Sequence, residues 1–156
     1  MPADLPYFDT SYLVRLYLRD DGFERVRELA GSGTAIASAW HAQAEIVAAF
    51  HRAFRDGRLQ QGPYLSVLEQ FTNDSRDGFY YWLPLTESIQ QRLEQFFWNA
   101  ANTHFLRAAD ALHLACAAEH GFTEVHSNDR HFLAAAPLFG LRGVNVISAS
   151  TSKQSE

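Results

Sequence analysis

The chain of 156 residues holds one cysteine, Cys116, and one lysine, Lys153. A single cysteine excludes a disulfide within the chain and fits a reduced compartment. Cys116 sits in an apolar helical run and reads as a small buried hydrophobe, not a nucleophile. With the lysine near the end of the chain, there is no Walker A phosphate loop and no lysine base. Basic residues are outnumbered 13 to 18, for a formal net charge of -5. That excludes a broad nucleic-acid binder held by charge alone. It does not exclude a nuclease, because clustered metal-binding acids lower the net charge by themselves. No apolar run reaches the roughly 20 residues of a membrane span. The opening MPADLPYFDT lacks a basic start followed by an apolar stretch, so no signal peptide is expected and a cytoplasmic setting follows. The seven histidines lie outside HExxH or CxxC spacing, so no zinc site is expected and His113 is taken as packed or hydrogen-bonded.

What is present is an ordinary globular composition, 47% hydrophobic and 20% charged, rich in aromatics with 12 Phe, 6 Tyr and 3 Trp. The length suits one domain, expected over residues 1–148, with a polar, disordered tail at 149–156. Short apolar runs at 5–9, 34–38, 79–85, 124–128 and 143–147 suit strands. Between them, helical spacing marks 11–20, a second helix from Phe23, then 40–55, 62–77, 87–102, the run from Arg107 to Gly121, and 130–136. Thr86 is a plausible N-cap. Strands alternating with helices predict an α/β sandwich, with a central, mostly parallel sheet of four to five strands flanked by helices.

Four acids occupy places of interest. Asp110 lies inside RAADALHLAC, an almost wholly apolar helix where a carboxylate is costly unless paired. An i,i+3 pair with Arg107 would answer that, and so would a metal ion. Asp9 ends the first predicted strand and Asp129 follows the fourth, where parallel α/β sheets bind ligands. Glu45 abuts the apolar face of the 40–55 helix. Each has a bland alternative: Asp9 and Asp129 as N-caps, Glu45 as a solvated residue at a helix boundary. If the four meet, they cannot all stay ionised without a cation, and hard oxygen ligands suit Mg²⁺ or Mn²⁺. Such a cluster can lower the pKa of a bound water and support displacement at phosphorus. Arg15, Arg19, Arg52, Arg107 and Arg130 flank the acids and could meet phosphates.

DTSYL at Asp9, AEIVAAFHR around Glu45, RAADALHLA around Asp110 and SNDRHF around Asp129 together resemble the four motifs of PIN domains, in order and across nearly the whole chain. The nearest resemblance is to VapC-type ribonuclease toxins of toxin–antitoxin pairs. It implies a PIN-like three-layer sandwich and a Mg²⁺- or Mn²⁺-dependent endoribonuclease that hydrolyses RNA phosphodiesters with a metal-activated water. By the same resemblance, Asp9 and Asp110 would be the principal metal ligands, Glu45 would complete the set or orient a water, and Asp129 would hold a second metal or act through water. Ser11 and Ser127 would support the site. A catalytically silent PIN-like module that binds RNA or protein is the alternative, and retention of all four acids favours the enzyme. A haloacid-dehalogenase-like phosphatase would need a second acid where Ser11 stands.

Two partner expectations follow. The aromatics at 79–82 and 96–98 exceed what one small core buries, and with the resemblance they imply a homodimer. The resemblance also implies an antitoxin whose C-terminal segment wraps the toxin. An acidic pocket suits an inserted arginine, which pairs two carboxylate oxygens and keeps its charge.

Overall fold

A computed structural model describes residues 2–33 and 35–147. The tail expected at 149–156 lies outside the described residues. Eleven regular elements follow in chain order among the described residues: α1 (Thr10–Leu13), α2 (Phe23–Gly31), β1 (Ile36–Ala39), α3 (Ala42–Arg55), α4 (Gln61–Arg76), β2 (Tyr80–Leu83), α5 (Glu87–Asn99), α6 (Ala108–Glu119), β3 (Glu124–His126), α7 (Arg130–Ala135) and β4 (Arg142–Val144).

β1 pairs in parallel with β2, and β3 in parallel with β4. The first apolar run joins these two ladders. Tyr7 bridges Ala37 and Phe8 bridges His126, both in parallel. On one edge, the Phe8 amide donates to the Ala37 carbonyl and the Ala37 amide to the Pro6 carbonyl, each at 3.0 Å. On the other, the His126 amide donates to Tyr7 at 2.9 Å and the Asp9 amide to His126 at 3.0 Å. The spatial order is therefore β2, β1, residues 6–9, β3, β4, all parallel. The order reverses at the middle strand, so Asp9 emerges at the switch point where such sheets form their ligand crevice.

Side chains of a strand alternate between faces. Tyr7 enters a core with Leu83, Ile89, Leu114, Val125 and Phe132, covered by α5, α6 and α7. Phe8 enters a second core with Leu13, Val26, Ile46, Phe50, Phe71 and Tyr80, covered by α1 to α4. The result is the three-layer α/β sandwich expected. In α6, Ala111 and the run 113–117 are all buried, as its apolar sequence requires, and Cys116 is a buried free thiol pushed up to about 12 by burial. Thr86 caps α5 by accepting from the Ile89 amide.

Several elements are shorter than their sequence suggests, and three have a visible cause. The helix expected over 11–20 ends at Leu13 and continues only as a 3-10 turn, Val14–Leu16. Its free carbonyls are met by side chains instead: Arg27 donates to Arg15 O at 2.9 Å and to Leu18 O at 3.4 Å. α5 stops at Asn99, whose side chain donates to the Gln95 carbonyl, and Ala100 is extended. The last strand ends at Val144 because the Tyr12 hydroxyl takes the next ladder amide, that of Val146, at 2.7 Å. No described helix is long and apolar enough to cross a membrane.

Candidate active site

Asp9 caps α1 and is buried. Its Oδ1 accepts from the Ser11 hydroxyl at 2.6 Å and the Tyr12 amide at 3.2 Å, and its Oδ2 accepts from the Ser127 hydroxyl at 2.5 Å. Burial raises its pKa above the ordinary value, while His113 and these three donors work against the rise. The two serines tie separate loops together: Ser11 Oγ accepts from the Asn128 amide and Ser127 Oγ from the Asp129 amide, each at 2.9 Å. Ser11 and Ser127, which the resemblance names as supporting residues, both donate to the Asp9 carboxylate.

Glu45 lies in the first turn of α3 and is not a solvated boundary residue. Its Oε1 accepts from the Thr10 hydroxyl at 2.8 Å and lies 2.8 Å from His113 Nε2. His113 is fully buried in α6, and its Nδ1 is held at 2.7 Å by the buried Tyr7 hydroxyl. Burial alone would raise Glu45, but the bonds from His113 and Thr10 more than offset it, so its carboxyl sits below the usual range. His41, one turn before Glu45, sets its ring 4.3 Å from that of His113, tilted by 51°, and places Nε2 3.5 Å from Glu45 Oε1. Burial, then the neighbouring His113, hold His41 down to about 4.

Asp110 is half-buried in the first turn of α6. Among the described residues no hydrogen bond or ion pair reaches its carboxylate, so the i,i+3 pair with Arg107 does not form. Its pKa is pushed up to about 6, first by burial, then by the charges of Asp129 and Asp9, with Glu45 adding to the rise. Asp129 caps α7, accepting from the Phe132 amide at 2.9 Å. The fold thus gathers all four acids at helix N-termini, near enough for Asp129, Asp9 and Glu45 each to act on Asp110. Among the described residues the carboxylates do not close on a single point; the ligand atoms that come within 4.8 Å of one another belong to His41, Glu45 and His113. The donor set fits a hard divalent cation: oxygen ligands of like charge, one of them, Asp110, with no donor to relieve it.

Of the flanking arginines, Arg52, Arg107 and Arg130 are exposed. Arg15 is the exception. It is buried and donates to the Ser11 carbonyl at 2.5 Å and the Asp21 carbonyl at 2.8 Å, so it braces backbone where a phosphate contact was expected. Thr10, His41 and Tyr7 are not evident from the sequence, whereas His113, expected to be packed or hydrogen-bonded, is both. The available signals were spacing alone: His113 three residues after Asp110, His41 four before Glu45.

An α/β sandwich with carboxylates gathered at the switch point of its parallel sheet defines the class. The PIN-domain family profile matches residues 7–137, and the chain belongs to that family. Its fold is similar to that of Mycobacterium tuberculosis VapC20, a sarcin–ricin-loop-cleaving toxin. The TM-score is 0.61 at 16% identity, over 83% of this chain and 93% of that one. It is also similar to VapBC2 from Rickettsia felis, solved bound to a fragment of promoter DNA, with a TM-score of 0.64 at 15% identity over 90% and 98% of the two chains. No curated protein sequence matches the chain.

The electrostatics set a pH dependence. Asp110 and Asp9 are raised in the folded state, so between about 4, the unfolded value, and about 6 the folded chain binds more protons than the unfolded one. Stability of the metal-free protein therefore falls as pH rises through that window. Glu45, being lowered, contributes stability that is lost as pH falls through its folded value and is fully present above its ordinary value, so over most of this window it is constant and does not offset the fall. In thermal melts with chelator, Asp110→Asn should flatten the decline and melt higher than wild type at pH 7. Parallel profiles for the two proteins would refute the assignment of the strain to Asp110.

Proposed function

We propose that this chain is a divalent-metal-dependent endoribonuclease that acts as the toxin of a toxin–antitoxin pair. The observation that carries the reading is Asp110, a carboxylate with no donor among the described residues, raised by burial and then by the charges of Asp129 and Asp9 in a PIN-domain fold. Asp9, Glu45, Asp110 and Asp129 are the residues that would hold Mg²⁺ or Mn²⁺, with Asp9 and Asp110 as principal ligands. When bound, such an ion supplies charge neutralisation and Lewis-acid activation of water for attack at phosphorus.

The chain's own residues do the positioning. Ser11, Ser127 and the Tyr12 amide fix the Asp9 carboxylate. Glu45 stays ionised at neutral pH, and because Thr10 and His113 both engage Oε1, Oε2 is the oxygen left to orient a water or accept its proton. Arg107, at the start of α6, and Arg130, at the start of α7, flank the acids and would meet substrate phosphates, with Arg52 two helical turns along α3 from Glu45. Hydrolysis leaves a 5′-phosphate and a 3′-hydroxyl. An RNA substrate is supported by the family and by the described activity of the Mycobacterium tuberculosis protein. Asp110→Asn removes charge with little change of shape. It should keep the fold by circular dichroism and lower RNA cleavage by at least about 100-fold, the upper end of what second-shell losses cost at metal sites. Chelation should abolish wild-type cleavage and added Mg²⁺ restore it. Cleavage by Asp110→Asn at a near wild-type rate would overturn the catalytic assignment.

The chain pairs with itself in this reading. Trp98 is 90% exposed and Phe97 45% on the outer side of α5, and Tyr81 is 47% exposed on β2, more aromatic surface than a monomer needs to present. Light scattering should give twice the chain mass, with dissociation on dilution; a monomer mass at every concentration would refute the dimer.

The inhibitory partner is an antitoxin whose arginine enters the carboxylate crevice near Asp9, Glu45 and Asp110. A titration with antitoxin peptide should weaken when Mg²⁺ is added and when Asp110→Asn is used, the latter by a few kcal/mol for a desolvated pair. An affinity indifferent to both places inhibition away from the crevice.

A further inference from the structure

Beside the carboxylates stands a ligand group of a different chemistry. One ligand atom each from His41, Glu45 and His113 lies within 4.8 Å of the other two. His113 Nε2 is 2.8 Å and His41 Nε2 3.5 Å from Glu45 Oε1. Ligand atoms around a tetrahedral zinc stand roughly 3.3 Å apart, given metal–nitrogen bonds of about 2.0–2.1 Å. The group is thus assembled to within a few tenths of an ångström on its measured edges. We propose that His41, Glu45 and His113 form a binding site for a borderline divalent transition-metal ion of the Zn²⁺ class, adjoining the carboxylate crevice and sharing Glu45 with it.

The chemistry of the set separates it from the crevice. Two imidazoles and one carboxylate suit zinc and its neighbours, whereas hard oxygen sets suit magnesium. Three protein ligands also leave a fourth position open. The surrounding contacts are of the kind that orient metal-bound histidines. Tyr7, fully buried, holds His113 Nδ1 and so aims Nε2 at Glu45. The two imidazole rings are brought to 4.3 Å by α3 and α6, which the sheet fixes relative to each other. His41 is the incomplete member: its Nε2, the nitrogen facing Glu45, lies 3.0 Å from the Ala109 carbonyl and would exchange that bond for the ion, and its buried Nδ1 has no partner among the described residues. The spacing of the histidines in sequence gave no sign of this, because His41 and His113 come from helices far apart in the chain. An ion held here draws Glu45 out of the crevice. That consequence rests on the ribonuclease reading; the metal site itself does not.

The test is a titration of the metal-free full chain with Co²⁺ and Zn²⁺, read without RNA. Wild type should take up one equivalent of Co²⁺ with the visible absorption of a tetrahedral nitrogen–oxygen site, and Zn²⁺ should displace it. His41→Gln, checked for fold by circular dichroism, should lose the absorption and bind Zn²⁺ at least about tenfold more weakly by calorimetry. Asp110→Asn should keep both signals. Absence of the absorption in wild type, its survival in His41→Gln, or its loss in Asp110→Asn would each overturn the proposal. A second reading needs no variant: Zn²⁺ should shift the imidazole nitrogen resonances of His41 and His113 in wild-type protein, and unmoved resonances would refute the site. Because none of these signals depends on cleavage, failure of this proposal and failure of the ribonuclease reading are separate results.

Discussion

Residues 6–9 are the constraint on which the rest depends. This short segment takes hydrogen bonds along both edges and is the only backbone joining the two ladders among the described residues. Its side chains serve both cores, Tyr7 on one face and Phe8 on the other. The same segment builds the site. Tyr7 sends its hydroxyl to His113, which reaches Glu45, while Asp9 closes the strand and caps α1. A slip of one residue would exchange the faces of Tyr7 and Phe8 and carry the acid out of the crevice. Core packing, sheet register and site geometry are therefore one requirement, met by four residues.

The charge distribution shows how the fold tolerates so many acids together. A helix N-terminus favours a carboxylate through its unpaired amides and its dipole. Asp9 and Asp129 use that directly as caps, and Glu45 and Asp110 lie in first turns. Burial opposes this. Asp9, though the most buried of the four, has three donors to offset desolvation, and Glu45 has enough hydrogen bonding to stay below the usual carboxylate range. Asp110 has neither and carries the unrelieved repulsion. The cost of gathering the acids therefore falls on Asp9 and Asp110, both raised, and not on Glu45, which is lowered.

Much of this was legible in the sequence, and the gaps have physical causes. Short apolar runs alternating with helical spacing gave the element order and the parallel sheet, because burial leaves a direct mark on residue type. The four acids were singled out by their position at predicted strand ends and in apolar helices, and the fold brings them near one another. Arg15 was misjudged because nothing local distinguishes an arginine facing solvent from one folded back onto carbonyls; that choice is made by the loop at Asp21. The early end of α1 has the same origin, since the donors that release its carbonyls come from Arg27 on the next helix. The Tyr7–His113–Glu45–Thr10 chain was invisible for a related reason. Its members are a strand residue, a helix residue that looks like core, and two residues from separate helix starts, joined only by the fold.

The bland and the functional readings of the acids are not rivals in this structure. A carboxylate has two oxygens and about four acceptor directions. Asp129 caps α7 through Oδ1, and Glu45 takes its helix and core contacts through Oε1, so in each the second oxygen is free of described partners. Asp9 uses both oxygens but only three donors in all, which leaves capacity at Oδ2 beside Ser127. Capping fixes the direction of each carboxylate at the cost of one acceptor and turns the remainder toward the crevice. An acid that caps a helix at the carboxyl edge of a parallel sheet is therefore oriented for a ligand by the same bond that makes it look merely structural.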